Sequence, residues 1–226
     1  MLDAYEKLFE LIDKEIFFKS SINNIIYIQD TEIDRRWNNL KQDLLNNTPM
    51  TIRSYGRNGI NSNLFQELYK ILFNHQNIHI DRTNNDIPAK ILKDLTPYCK
   101  KTKRVDGPKI RIMNYQISHL FGRTKNPLLF TAPWNIAYIP KYLDPFTGHE
   151  SQGTTSREFK QIFNRLLSEK FKEYIQDYNQ FIAVYAHQEK LNDAIEQVRR
   201  NINKPLEEKT LINFKKDVYL QWSKIE

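Results

Sequence analysis

Apolar residues recur at three- and four-residue steps along most of the chain, which is the pattern of amphipathic helices. The predicted helices cover about 2–20, 31–46, 63–75, 87–95, 154–178, 186–202 and 206–223. Residues 77–81 alternate between apolar and polar side chains, which predicts a short strand. Residues 22–28 are β-branched enough to form either a strand or the end of the first helix. Residues 49–63 break the periodicity with Pro, Gly and Asn, so we expect a loop there.

The centre of the chain has a different pattern. Apolar positions over 110–119 predict a strand that ends at His119, and Gly122–Pro127 predicts a hairpin loop. The apolar run Leu128–Trp134 is then expected to be the return strand. Beyond Asn135 we expect a short helical piece interrupted by two prolines, because proline breaks a helix interior.

This central region contains four polar residues that are candidates for chemistry: His119, Asn135, Asp144 and His149. Their order resembles the HNH, or ββα-metal, nuclease motif, in which a His closes one strand, an Asn follows and a metal ligand lies on the next helix. The resemblance covers about 40 residues, from Asn114 to Glu150. It implies a ββα hairpin-helix unit that hydrolyses phosphodiester bonds.

The resemblance also implies a role for each residue. His119 corresponds to the general base, and a His is suited to that role because its reference pKa of about 6.5 leaves it neutral at pH 7. Asn135 corresponds to the residue that orients this His or, in some branches, binds the metal. The helix ligand is either Asp144, which keeps the usual spacing, or His149, which keeps the residue type. Ser118 stands where the family often has a metal ligand and is a poor one.

The expected cofactor is a divalent metal ion, Mg²⁺ or, with a His ligand, Mn²⁺. Cys99 is the only cysteine, so no disulfide within the chain and no structural zinc site of the four-cysteine kind is predicted. In metal-dependent hydrolysis the ion stabilises the charge that grows on the phosphate.

The net charge of +7 indicates a polyanionic partner, and double-stranded DNA is the one we expect. Basic residues lie before the motif, in the 49–63 loop and in the predicted hairpin loop. The candidate DNA-binding residues are Arg53, Arg57, Lys100, Lys101, Lys103, Arg104, Arg123 and Lys125. Arg53 and Arg57 could contact phosphates or base edges. The simpler interpretation of both basic segments is a solvated surface.

The sequence therefore predicts an α+β, predominantly helical protein with a central ββα-metal hairpin-helix motif. Three regions are expected: 1–98 for DNA recognition, 99–153 for catalysis and 154–226 for dimerisation or DNA contact. The predicted function is that of a sequence-specific restriction-type endonuclease acting as a homodimer. A homing-type nicking enzyme and a non-catalytic DNA-binding regulator are the alternatives. No stretch is apolar over the roughly 18–20 residues of a membrane span, and the first residues lack signal-peptide features, so we expect a cytoplasmic protein.

Overall fold

The computed structural model describes residues 3–56, 61–83, 85–100, 109–147, 151–202 and 207–226. Helices dominate, and they alternate with short strands in the first two thirds of the chain. The helices are α1 (Ala4–Phe9), α2 (Lys14–Asn23), α3 (Asp30–Leu45), α4 (Ser62–Phe73), α5 (Asp86–Leu95), α6 (Pro127–Thr131), α7 (Asp144–Thr147), α8 (Thr154–Lys170), α9 (Lys172–Tyr185), α10 (Gln188–Asn201) and α11 (Glu208–Gln221).

The described strands form three two-stranded sheets. The strands are β1 (Met50–Arg53), β2 (Ile78–Asp81), β3 (Tyr98–Cys99), β4 (Ile110–Arg111), β5 (Tyr115–His119) and β6 (Ile136–Pro140). β1 pairs with β2, and β3 with β4, in parallel. β5 and β6 are antiparallel, with Tyr115 opposite Pro140 and His119 opposite Ile136. The prediction of an α+β, predominantly helical fold is confirmed.

Two predicted helices are each divided in the structure. The first breaks between α1 and α2, where the Asp13 side chain accepts a hydrogen bond from the Ile16 N–H at 2.8 Å and begins a new helix. The long helix after residue 154 breaks at Phe171, which is buried between α8 and α9. Periodicity alone does not reveal either break, since the apolar positions continue across it.

The predicted return strand Leu128–Trp134 is wrong. Its first half is helix α6, and Pro133–Asn135 is a single 3-10 turn. The Asn126 side chain accepts hydrogen bonds from the N–H groups of Leu128 and Leu129 at 3.0 and 3.3 Å. An Asn cap followed by proline at the first helical position starts a helix, and this local signal outweighs the apolar run.

The true return strand is β6, which begins after Asn135. The helical piece predicted there is therefore wrong as well, and only α7 remains of it. The strand predicted over 110–119 is interrupted at Asn114, whose φ of +58° lies in the left-handed region. β4 and β5 consequently belong to different sheets. In chain order β5, β6 and α7 follow one another, with α6 inserted in the connection between the strands.

Strand β1 lies within the segment that was expected to be a loop, so that expectation is wrong for Met50–Arg53. Helix α4 connects β1 to β2, and the two strands run parallel with Arg53 opposite Asp81. The carboxyl ends of both strands thus meet at one edge of this small sheet. The strand predicted at 77–81 is confirmed as β2.

One hydrophobic cluster of buried residues runs through all three predicted regions. It includes Trp37 of α3, Trp134 before β6 and Tyr178 of α9, and the two indole rings meet edge to face at 5.4 Å. The central strands therefore rest on helices from both ends of the chain. No helix within the described ranges is long and apolar enough to span a bilayer.

Candidate active site around His119

His119 ends strand β5, and its ring is fixed by one neighbour. The ring stacks on Phe130 of α6 with centroids 5.3 Å apart and planes inclined by 14°. Its Nε2 lies 3.0 Å from the backbone oxygen of Phe130. Because a carbonyl oxygen can only accept a hydrogen bond, Nε2 carries the ring proton. Nδ1 therefore keeps a lone pair with which it can accept a proton.

The surroundings keep this imidazole neutral. Burial lowers the pKa of His119 to about 4, whereas the hydrogen bond to Phe130 raises it and the nearby Arg53 lowers it. The ring is uncharged at physiological pH and is available as a base. A phosphate anion bound next to the ring would raise its pKa, because a negative charge favours the protonated form.

Asn135 holds the segment that supplies this carbonyl. Its side chain is fully buried, and Oδ1 accepts a hydrogen bond from the Phe121 N–H at 2.8 Å. Nδ2 donates to the backbone oxygens of Gly122 and Leu129 at 3.1 and 2.7 Å. Both amide protons are thus used, and the 121–122 segment is tied to the residue before Phe130. This geometry favours the role in which Asn135 positions His119 over the role of a metal ligand.

Arg53 brings positive charge to the same place. It is the exposed last residue of β1, and its backbone N–H donates to the oxygen of Thr124 at 3.0 Å. That contact joins the end of β1 to the loop that follows His119. The positive charge of Arg53 also lowers the pKa of His119.

Arg123 and Lys125 lie in this loop, but the chain itself engages their side chains. Arg123 Nη2 donates to the Ser223 hydroxyl at 2.9 Å and to the Lys224 oxygen at 2.8 Å. Lys125 Nζ lies 3.6 Å from Asp217 and above the ring of Tyr55. We interpret both residues as anchors of the loop on the C-terminal helix, with DNA contact a lesser role.

Asp144 and Ser118 lie on the other side of strand β5. Gln116 Nε2 donates to Asp144 Oδ1, and side chains alternate along a strand, so Gln116 and Ser118 share one face while His119 faces away. Gln116 precedes His119 by three residues, or roughly 10 Å. A metal ion bound at Asp144 alone would lie too far from His119 to share one phosphate with it.

Several predicted residues fall outside the described ranges: Arg57, Lys101, Lys103, Arg104 and His149. Within those ranges no group of three His, Cys, Asp or Glu side chains could hold a metal ion. The described residues therefore do not form a metal site by themselves.

Lys100 is the described residue of the predicted basic flank, and it is exposed. It borders a cavity of about 630 Å³ whose wall also includes Lys90, Lys93 and Gln116. The flank thus reaches the face of β5 on which Asp144 lies. Positive charge there would favour the binding of a phosphate backbone.

Sequence reasoning missed two parts of this site. The role of the Phe130 carbonyl was missed because residues 128–134 were predicted to form a strand. The Asn126-Pro127 pair, which is typical of a helix start, could have indicated the helix. Gln116 was missed although it precedes Ser118 by two residues, which is the spacing of side chains on one strand face. No local signal predicts that Arg53 approaches His119, since β1 and β5 are distant in sequence.

The fold and site define an α+β protein with a half-buried histidine at the end of an antiparallel strand pair. The chain belongs to the family described as the uncharacterised protein PM1201, whose model matches residues 28–226. A relative from Pasteurella multocida (strain Pm70), described in the same words, is 39% identical over 186 residues; the match covers 81% of this chain and 80% of the relative. No solved structure matches the chain.

Proposed function

We propose that the protein is a metal-dependent endonuclease that hydrolyses phosphodiester bonds of double-stranded DNA, with an HNH-like centre and His119 as general base. The observation that carries this proposal is the hydrogen bond from His119 Nε2 to the Phe130 carbonyl. It fixes the tautomer in which Nδ1 accepts protons, and a base for hydrolysis needs a fixed, neutral ring. The succession of β5, β6 and α7 is compatible with a ββα unit.

In the proposed reaction His119 Nδ1 takes a proton from a water molecule. The water oxygen forms a bond to phosphorus as the bond to the leaving sugar oxygen breaks, and the leaving oxygen takes a proton from solvent. Asn135 contributes by holding the Leu129–Phe130 segment, so that the ring does not turn while it accepts the proton. Preorganised groups of this kind lower a barrier because they need no rearrangement during the reaction.

Negative charge grows on the phosphate during attack. Arg53 contacts the loop that follows His119 through its backbone, and its exposed guanidinium can donate two hydrogen bonds to phosphate oxygens. We assign it the role of binding the scissile phosphate or the adjacent one. Lys100 would contact the backbone on the other face of β5.

A divalent metal ion, Mg²⁺ or Mn²⁺, would be held by Asp144 and His149, with Ser118 close by. When bound, it would supply positive charge to the DNA backbone on the Asp144 side of β5. The described donors alone are too few to hold it. The restriction-type activity, the homodimer and the sequence specificity remain parts of the proposal that follow from the HNH resemblance.

The test is incubation of the purified protein with supercoiled plasmid in Mg²⁺, in Mn²⁺ and in EDTA. Linear product that appears with metal and not with EDTA is the expected result. Nicked product alone would favour the homing-type nicking enzyme. Intact plasmid that is nevertheless retarded in a gel would support the DNA-binding regulator and reject the nuclease.

A further inference from the structure

A polar cleft of about 680 Å³ lies at the end of β1, and Ser54, the residue after Arg53, is part of its wall. The end of β1, the first turns of α4 and strand β2 form its walls, which include Asn63, Gln66, His79 and Arg82. All but one of the residues that line it carry a polar side chain. This composition differs from the mostly apolar lining of a small-molecule pocket.

The parallel arrangement of β1 and β2 creates the cleft. In a strand–helix–strand unit the carboxyl ends of both strands lie at one edge, and ligands bind in the crevice outside that edge. Ser62 Oγ accepts a hydrogen bond from the Tyr55 N–H at 2.9 Å, which fixes the chain as it leaves β1. Gln66 Nε2 donates to the Ile78 oxygen at 2.7 Å and fixes α4 on β2. The walls are therefore rigid.

The side chains that face the cleft are available to a ligand. Asn63, His79 and Arg82 are exposed, and none forms a side-chain hydrogen bond or ion pair with another described residue. The Gln66 amide oxygen also has no donor among the described residues. The cleft thus offers a guanidinium, two amides and an imidazole.

The neighbouring acid, Asp81, forms no ion pair with Arg82 of the cleft. Asp81 is buried, and its Oδ1 accepts hydrogen bonds from the Thr83 N–H and hydroxyl at 3.0 and 2.8 Å. Its Oδ2 accepts the Ile87 N–H at 3.1 Å, at the start of α5. The carboxylate is consumed by the turn after β2. The positive charge of Arg82 consequently remains for a ligand.

Arg53 connects the cleft to His119. It is the residue opposite Asp81 in the β1–β2 pair, and it also acts electrostatically on the His119 ring. Arg53 directly precedes Ser54, which lines the cleft, so a DNA backbone bound by Arg53 would have bases within reach of the cleft. Certain side chains commonly pair with certain base edges: arginine binds guanine, and asparagine or glutamine binds adenine.

We infer that this cleft is the base-reading subsite for double-stranded DNA, in which Arg82, Asn63 and Gln66 contact base edges next to the scissile phosphate. The inference rests on the DNA-binding part of the proposed function. It assigns recognition to the β1–α4–β2 unit, and it leaves the phosphate contacts to Arg53.

The experiment is selection from a random-sequence duplex library by the wild-type protein in EDTA, where a metal-dependent enzyme does not cleave. Arg82→Ala and Asn63→Ala are selected in parallel, with Arg165→Ala as the control because Arg165 is exposed on α8 and does not line the cleft. The wild type and the control should enrich one sequence motif. Each cleft variant should lose preference at one or two positions of it, by about 5- to 150-fold per position.

An identical motif from the cleft variants, or no motif from the wild type, would show that the cleft does not read bases. Thermal melting of each variant verifies that it is folded, and Arg82→Lys, which keeps the charge but loses the bidentate fork, gives a second variant with the same expectation. Enrichment of a cleft-dependent motif by a protein that cuts no plasmid in Mg²⁺ or Mn²⁺ would reject the nuclease and support the subsite. The two proposals therefore fail in different ways.

Discussion

The properties of His119 come from its neighbours. Phe130 fixes the ring plane and the tautomer. Burial lowers the pKa of the ring, and the positive charge of Arg53 lowers it further. His75 is a histidine of the core with both ring nitrogens in use. Its Nε2 lies 2.9 Å from the Thr48 oxygen, and its Nδ1 accepts a hydrogen bond from the Asn77 N–H. His119 differs from His75 because no described residue forms a hydrogen bond with its Nδ1.

The pKa of His119 can be tested by NMR on protein labelled in its histidine rings. We expect a neutral ring with the proton on Nε2 at pH 7, and a titration midpoint well below 6.5, near 4. A midpoint at or above 6.5 would contradict the buried, neutral base. Arg53→Ala should move the midpoint upward, since Arg53 is one of the groups that lower it.

The same pKa predicts how stability depends on pH. The pKa is lower in the folded than in the unfolded chain, so the unfolded chain takes up a proton first as the pH falls. The stabilisation is fully present above about pH 6.5 and is lost between there and about pH 4, by on the order of 3 kcal/mol. His119→Gln, which can still donate to the Phe130 carbonyl, should lose this dependence. Urea unfolding of both proteins between pH 4.5 and 7.5 measures the difference, and parallel curves would contradict it.

Asn135 gives a third prediction at this scale. Asn135→Ala removes three buried hydrogen bonds and leaves their backbone partners unsatisfied, so unfolding should become easier by about 3–5 kcal/mol. Asn135→Asp should also be destabilised, because a carboxylate cannot donate to the Gly122 and Leu129 oxygens. If Asn135 positions His119, excess Mn²⁺ will not restore cleavage to the aspartate variant. Full rescue by Mn²⁺ would indicate a metal ligand instead.

At the scale of elements, the loop after His119 is held from two sides. The end of β1 contacts it through Thr124, and α11 holds it through Gln221, whose Oε1 accepts the Lys125 N–H at 2.9 Å. Asn126 adds hydrogen bonds to the Tyr178 hydroxyl and the Gln221 oxygen. The candidate site thus depends on elements from both ends of the chain.

Arg53 and Arg123 form a matched pair for a test of this arrangement. Arg53→Ala should weaken DNA binding and reduce the slope of log K against log salt concentration by about 0.9. Arg123→Ala should leave that slope unchanged but lower the melting temperature, because it loses contacts to the C-terminal residues 223 and 224. Fluorescence titrations of a labelled duplex at several salt concentrations measure the slopes. A reduced slope for Arg123→Ala would show that Arg123 contacts DNA, as the sequence analysis predicted.

Sequence patterns correctly predicted the elements whose signals are local. The predictions failed where contacts between distant parts of the chain determine the structure. The helices α3, α4, α5, α10 and α11 each present a regular apolar stripe, and their positions agree with the predictions. The 128–134 run is apolar all round because it is buried on all sides, and such a run does not distinguish a helix from a strand. β1 was missed because four residues carry too short a pattern, and its pairing with β2 is a long-range contact.

At the scale of the whole molecule, a single core supports the end of β1, which contacts the loop after His119 through Thr124 and continues into the polar cleft at Ser54. The net charge of +7 suits a DNA-binding surface of this kind. The candidate residues on the other face of β5, with Asp144 and Lys100, would complete the site if His149 supplies a second ligand. The order of the predicted sequence motif is thus compatible with the structure, while the hairpin expected between its first two members is replaced by α6.

The most direct test of the account is the rate of plasmid cleavage in Mg²⁺ by His119→Ala, measured under single-turnover conditions against wild type and His187→Ala. His187 precedes α10 and has no assigned role, so it controls for loss of a histidine. We predict a loss of about 10²- to 10⁴-fold for His119→Ala, with DNA affinity retained and His187→Ala close to wild type. Cleavage by a folded His119→Ala protein at the wild-type rate would contradict the account, because the site would then lack the base around which it is built.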